Sequence, residues 1–333
     1  MKVSVFGTGS WGTALAQQMA RRGLDVRSWA REDEVAEGIN RDHRNPLFLS
    51  DLELHPGLIA SSDLEEVARH SDVWIWVVPV QFSRPVMDRL SEFLGPEVIV
   101  VSSSKGIEGE TLKRMDEIAQ DELGLPPTRF CALSGPTFAR EVVQGLPSLA
   151  VLACPDIEVA TRLQEAFSDR HLRFYAGRDL VGVELAGALK NPVAIAAGIV
   201  DGMGLGANTQ AALMTRGLHE ITRLGVAMGA DSSTFRGLAG MGDLVLTCTG
   251  GLSRNRTVGL RMGKGESLED ILASMNEVVE GVRTTPAAAD LAHRHGVYMP
   301  IVDAISDLLQ GKTNPEEAVH ALMTKELKEE AKL

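Results

Sequence analysis

The segment Gly7-Thr8-Gly9-Ser10-Trp11-Gly12 constrains this chain more than any other. A β-branched run, Val3-Ser4-Val5-Phe6, precedes it, and a helical period from Thr13 to Arg22 follows and stops at Gly23. With a second strand over Asp25 to Ala30, residues 1–31 read as a βαβ unit. Each glycine has its own physical reason in that setting. Gly7 permits the tight turn, Gly9 lets backbone approach a ligand with no Cβ in the way, and Gly12 allows close helix–sheet packing. The helix N-terminus then presents N–H groups and a partial positive charge, as a pyrophosphate requires. Turn glycines alone would produce the same spacing, but the strand–turn–helix context favours a dinucleotide.

Further apolar strands are expected at Val73–Val78, Val98–Val101, Phe130–Leu133 and Leu149–Leu152, several with helix-like segments between them. Near-continuous apolar strands imply burial on both faces, hence a parallel sheet covered by helices. From about Asp179 the pattern changes to long Ala/Leu/Met-rich helical segments separated by glycine clusters such as Gly202-Met203-Gly204-Leu205-Gly206. The expected fold is therefore α/β: an N-terminal Rossmann-type doubly wound sheet over residues 1–180, then an all-α C-terminal domain over 181–333. Two domains suit a chain of 333 residues, which exceeds what one core usually supports. The charged end, Lys325 to Lys332, reads as a solvated terminal helix or frayed tail.

A net charge of −12 with no basic patch argues against nucleic-acid or anionic-membrane partners, while leaving room for a small anion held by a few cations. Cys131, Cys154 and Cys248 are widely spaced, which fits a reducing compartment without disulfides, and neither they nor the eight histidines have metal-ligand spacing. The chain begins directly on a strand-like segment with no room for a secretion signal, so a cytoplasmic location is expected. Val181 to Val200 approaches membrane-spanning length, but Glu184, Lys190, Asn191 and Pro192 within it favour a buried helix over an integral membrane segment.

Ligands of open α/β sheets bind beyond the carboxyl ends of the strands. Those positions carry Arg31, Pro79, Ser102-Ser103-Ser104-Lys105-Gly106 and Ser134-Gly135-Pro136-Thr137-Phe138-Ala139. Arg31 suits the 2′-phosphate of NADP, although Glu32 or Asp33 could serve the ribose hydroxyls of NAD, so NADP(H) is favoured over NAD(H) without excluding it. Lys105 suits a substrate phosphate or carbonyl oxygen.

Lys190 lies in an otherwise apolar helix, and burial moves a lysine toward the range where it exchanges a proton with a reacting group. An ion pair with Glu184 would be the structural explanation, but a separation of six puts the two on different helix faces. Asn191 adds a neutral donor, and Pro192 can kink the helix. In the segment from Gly240 to Arg256, Asp243 can orient an ammonium, and Arg254 with Asn255 can bind phosphate.

Taken together, Gly7 to Ala14, Lys105-Gly106, Ser134 to Ala139, Glu184-Leu185 through Lys190-Asn191, Gly240 to Leu244 and Ser253-Arg254-Asn255 resemble the bacterial NAD(P)-dependent sn-glycerol-3-phosphate dehydrogenases over essentially the full length. That resemblance implies reversible reduction of dihydroxyacetone phosphate to sn-glycerol 3-phosphate for phospholipid synthesis, by a homodimer. It places Lys190 on the proton donor and acceptor, with Asn191 and Asp243 arranging it. It places Lys105, Gly135, Thr137, Asp243, Ser253, Arg254 and Asn255 on substrate contacts. It places Ser10, Trp11, Arg31, Lys105, Ala139, Arg254, Val278 and Glu280 on cofactor contacts. Thr137 stands where many relatives have Ser. The rival readings are a 6-phosphogluconate-like or 3-hydroxyacid dehydrogenase, and a non-catalytic NADP-binding sensor.

Overall fold

The structure, a computed structural model, describes residues 1–275 and 277–324. The expectation for Lys325 to Lys332 lies outside the described residues. The strands are β1 (Lys2–Phe6), β2 (Asp25–Trp29), β3 (Leu58–Ser61), β4 (Val73–Trp76), β5 (Ile99–Ser102), β6 (Phe130–Ser134), β7 (Ser148–Ala153) and β8 (Leu172–Gly177). They form one sheet in the order β3-β2-β1-β4-β5-β6-β7-β8.

Every neighbouring pair is parallel except β6 and β7, which run antiparallel with Leu133 opposite Leu152. The sheet is thus mixed at one junction, where a fully parallel one is expected from the apolar runs. The strand order reverses at β1, which pairs with β2 on one side and β4 on the other. That reversal is a topological switch point, and the chain leaves it at Gly7.

The apolar runs are buried on both faces, as their composition requires. Val3, Val5, Ile75 and Val101 pack with Ala14, Leu15 and Met19 of the helix Ser10–Arg21. The alternate residues Phe6, Trp74 and Trp76 cluster with one another, their ring centroids 5.2 and 5.3 Å from Phe6. β8 is not apparent in the sequence because its burial alternates, leaving Arg173 and Tyr175 exposed and breaking the apolar run, while the apolar stretch of β3, Leu58-Ile59-Ala60, is too short to stand out. The three cysteines are free and buried.

The chain divides into two compact units, one of Met1–Lys105 with Arg114–Glu184, the other of Gly106–Lys113 with the residues from Leu185 onward. Among the described residues, the regular elements of the second unit are all helices. Its core includes Ile195, Ile199, Val258, Ile271, Ile301 and Ile305. The helix Leu180–Gly202, most of which lies in this unit, and the helix Arg254–Gly263 touch backbone to backbone through glycines. A Cβ on Gly198 would stand 2.0 Å from the Arg256 carbonyl oxygen, and one on Gly259 would stand 1.9 Å from that of Ile195. Leu180–Gly202 is long and apolar enough to cross a bilayer, but 94% of its apolar window is buried inside the protein. It is the core helix that the charges within Val181–Val200 lead one to expect, and its helical assignment continues through Pro192.

Candidate active site

The first unit carries the glycine turn. Gly7 has φ +105°, a conformation that side chains beyond glycine rarely adopt, and its N–H donates to Trp29 O at 3.2 Å. A Cβ on Gly9 would meet nothing within 4 Å, so the backbone there faces open space of the kind a pyrophosphate fills. Gly12 differs from expectation in its contact. Its Cβ would lie 1.9 Å from the Gly7 carbonyl oxygen, closer than to any sheet atom, so it lets the helix pack against the turn itself. Gly9 caps Ser10–Arg21 without a side-chain hydrogen bond, and the carbonyl of Gly9 accepts from Thr13 N at 2.9 Å. The first-turn amides therefore point along the helix axis away from its body, where an anion is favoured.

Because β2, β1, β4, β5 and β6 are mutually parallel, the residues after each share the sheet's carboxyl edge. Trp11 Nε1 donates to Ser103 Oγ, tying the helix start to the segment after β5 that carries Lys105. Gly135 is required for close approach, since a Cβ would come within 2.8 Å of Ala150 Cα on β7. Thr137 Oγ1 donates to Gly135 O at 3.2 Å, and Ala139 opens the short helix Ala139–Val143. Arg31 is 81% exposed in its side chain and donates through Nε and Nη2 to Glu32 Oε1. The cation suited to a 2′-phosphate and the acid suited to a ribose are thus adjacent and paired.

The second unit carries the lysine. Lys190 Nζ donates to Asp243 Oδ1 and to Thr247 Oγ1, both at 2.7 Å. The Lys190 and Asp243 side chains are 8% and 2% exposed. Asp243 begins the helix Asp243–Thr249 directly after a π-helical turn, Leu238–Gly242. That wide turn is packed against Phe235, whose backbone a Cβ on Gly240 would strike at 2.2 Å. Thr247 Oγ1 in turn donates to Asp243 O at 2.6 Å, one helical turn back. The buried ammonium therefore faces a matched carboxylate and a hydroxyl oriented by the backbone. Cys248, beside this pair, has its thiol pushed up to about 12 by burial, partly offset by the Lys190 charge, and stays neutral.

Glu184 is not the partner of Lys190. Its carboxylate accepts from Arg114 Nε at 3.2 Å and from Asp116 N at 3.0 Å, in the first unit. Burial, with Asp116 nearby, holds the Glu184 carboxyl well above the usual range.

Asn191 Oδ1 accepts from Asn255 Nδ2 at 3.0 Å, and Asn255 Oδ1 accepts from Gly281 N at 3.1 Å. Ser253 caps the helix Arg254–Gly263 by accepting from Arg256 N. Arg254 pairs with Glu277 at 2.7 Å and donates to Val278 O at 2.8 Å, with Glu280 opening the next helix, Glu280–Arg294. Lys190, Asn191, Asp243 and Asn255 thus converge through two contact chains joined along one helix. Thr247 was detectable in the sequence, being four residues from Asp243 and so on the same helix face. Asn45 was not. Its side chain, fully buried in the first unit, donates to Thr8 O at 2.8 Å and to Thr13 Oγ1 at 2.9 Å, which no local pattern announces. No group of three or more His, Cys, Asp or Glu able to hold a metal occurs among the described residues.

A glycine turn at a switch point is common to many dinucleotide proteins, so the second unit has to decide among them. The chain matches the sequence model described as NAD-dependent glycerol-3-phosphate dehydrogenase N-terminus over residues 2–160, and that of the C-terminus over 179–320. It belongs to the NAD-dependent glycerol-3-phosphate dehydrogenase family.

The glycerol-3-phosphate dehydrogenase [NAD(P)+] of Nitratidesulfovibrio vulgaris is 51% identical over 331 residues, covering 99% of this chain and all of the relative. That of Citrifermentans bemidjiense is 51% identical, covering 99% of this chain and 98% of the relative. The crystal structure of glycerol-3-phosphate dehydrogenase from Coxiella burnetii superposes with a TM-score of 0.93 at 34% identity, covering 97% of this chain and 99% of that one. The family match embraces the Lys190 helix and the Asp243–Asn255 segment as well as the glycine turn.

Proposed function

We propose that this protein catalyses the reversible NAD(P)H-dependent reduction of dihydroxyacetone phosphate to sn-glycerol 3-phosphate, supplying the backbone of glycerophospholipids, as a cytoplasmic homodimer. The observation that carries the reading is the buried Lys190–Asp243–Thr247 cluster, a fixed proton source in a chain whose family reduces a ketone.

Residues 1–180 carry the dinucleotide turn, and 181–333 carry the proton donor. The bound reduced nicotinamide supplies the hydride for the ketone carbon. Lys190 donates a proton to the carbonyl oxygen as the carbon accepts hydride, and takes it back in the reverse direction. Asp243 and Thr247 hold Nζ in one direction through two hydrogen bonds, so little reorganisation is left for the transition state. Asn191, linked to Asn255, orients the substrate beside the lysine. Arg254 and Asn255 hold the phosphate at the start of a ten-residue helix, where the helix dipole adds to the guanidinium charge. Lys105, Gly135, Thr137 and Ser253 complete the substrate contacts.

For the dinucleotide, Gly7, Gly9 and Gly12 shape the turn, and Ser10 and Trp11 lie at the helix start. Arg31 takes the 2′-phosphate and favours NADP(H) over NAD(H), after exchanging its Glu32 partner for the ligand. Lys105, Ala139, Arg254, Val278 and Glu280 complete that set. The test is NADPH and NADH oxidation with dihydroxyacetone phosphate, run beside 3-hydroxy acids and 6-phosphogluconate in the oxidative direction. Turnover restricted to the triose phosphate is expected; preference for either of the other substrates would replace this reading.

A further inference from the structure

The glycine turn is held from behind by a three-way junction. Asn45 Nδ2 donates to Thr8 O at 2.8 Å and to Thr13 Oγ1 at 2.9 Å, and Thr13 Oγ1 donates to Thr8 O at 3.1 Å. Asn45 Oδ1 meanwhile accepts from Leu47 N at 3.2 Å and Phe48 N at 3.0 Å. The side-chain amide therefore uses both donors and both acceptor positions, which fixes its plane. Thr8, Thr13 and Asn45 are 5%, 1% and 0% exposed, so no water competes for these bonds.

One consequence concerns the peptide between Thr8 and Gly9. It is trans, so its C=O and N–H point in opposite directions. Two donors pull the Thr8 carbonyl inward, toward Asn45 and Thr13. The Gly9 N–H is thereby turned outward, on the residue where a Cβ would meet nothing within 4 Å. Without the junction, a glycine-flanked peptide has low-cost alternatives, because Gly9 tolerates most backbone angles.

We infer that Asn45 and Thr13 are positioning residues for the cofactor: they lock the Thr8–Gly9 peptide so that the Gly9 N–H is aimed at the dinucleotide phosphates before binding. The inference rests on reading Gly7–Gly12 as the dinucleotide site. Preorganisation of this kind tightens binding by removing an ordering cost, and leaves the ketone chemistry at Lys190 untouched.

The test is a fluorescence titration of NADPH into the full-length protein without substrate, with thermal melting of each variant recorded in parallel. Thr13→Val keeps shape and volume but removes the hydroxyl, and is expected to raise the NADPH Kd about fivefold or more, as loss of a buried hydrogen bond would. Thr13→Ser restores the hydroxyl and is expected to return Kd to within about twofold of the parent. Asn45→Ala removes both inward bonds and is expected to raise Kd about tenfold or more, with the KM for dihydroxyacetone phosphate changed less than about twofold. A merely structural role would lower the melting temperature while folded protein bound NADPH with the parental Kd, and that result overturns the inference. Should Asn45→Ala not fold, the Thr13→Val and Thr13→Ser pair decides alone. If the parent protein binds neither NADPH nor NADH, the dinucleotide site itself is misread and the inference falls with it. Parental Kd in the variants, beside tight binding by the parent, rejects the inference only.

Discussion

Lys190 Nζ and Asp243 Oδ1 lie 2.7 Å apart, in side chains 53 positions distant in sequence and almost wholly buried. A pair this enclosed has a double energetic character. Removing one partner strands the other charge, whereas removing both leaves an apolar gap.

Lys190→Met should therefore lower kcat by about a hundredfold or more, the usual scale of a lost general acid, with NADPH affinity nearly unchanged. It should also destabilise the protein by about 3 kcal/mol, because Asp243 is left unpaired. Adding Asp243→Leu should restore much of that stability and none of the turnover. A chemical-denaturation series beside steady-state kinetics separates the two effects; a single variant with near-parental kcat would remove Lys190 from the chemistry.

Arg254 presents its guanidinium partly to solvent while pairing with Glu277. Arg254→Ala should raise the KM for dihydroxyacetone phosphate about tenfold or more, in line with loss of a charge-assisted contact. Inorganic phosphate, as a competitive inhibitor, should weaken in parallel. An unaltered KM would exclude Arg254 from phosphate binding.

Arg31 and Glu32 bear on cofactor choice from neighbouring positions. Arg31→Ala is expected to shift the ratio of kcat/KM for NADPH over NADH toward NADH by about tenfold, the 2′-phosphate having lost its cation. Measuring both cofactors on both proteins checks this. A constant ratio would place the specificity elsewhere.

Glu220 predicts a pH dependence of stability. Its carboxyl, on the helix Gly206–Ala227, accepts from Ile301 N at 3.0 and 3.1 Å at the start of the helix Pro300–Leu309. Burial raises its pKa from 4.5 to about 7, against the lowering effects of those amides and Arg223, with Asp303 adding to the rise. The folded state thus binds this proton more tightly than the unfolded chain. Its stabilising effect is complete below about pH 4.5 and is lost as pH rises through about 7, a change on the order of 3 kcal/mol. Glu220→Gln should flatten that part of the stability–pH profile. An equally steep profile in the variant would assign the dependence to another group.

Features written in local order are legible in the sequence. The glycine turn after β1, the buried apolar strands, the change to helices near Asp179 and the core character of Leu180–Gly202 all follow from residue type and period. The edge strand β8 escaped because its outward positions carry Arg173 and Tyr175, and β3 because its apolar stretch, Leu58-Ile59-Ala60, is short. The antiparallel β6–β7 junction escaped for another reason: a buried strand has the same composition in either direction.

The sequence by itself determined the kinds of chemistry available: a turn whose glycines admit a phosphate, a lysine among apolar residues, an acid and an Arg-Asn pair downstream. Only the tertiary structure decided the partnerships. It matched Lys190 with Asp243 and Thr247, gave Glu184 to Arg114, and set Asn45 behind Thr8. Such choices depend on which distant side chains share a buried space, where an unmatched charge or amide is costly, and sequence separation carries no record of that distance.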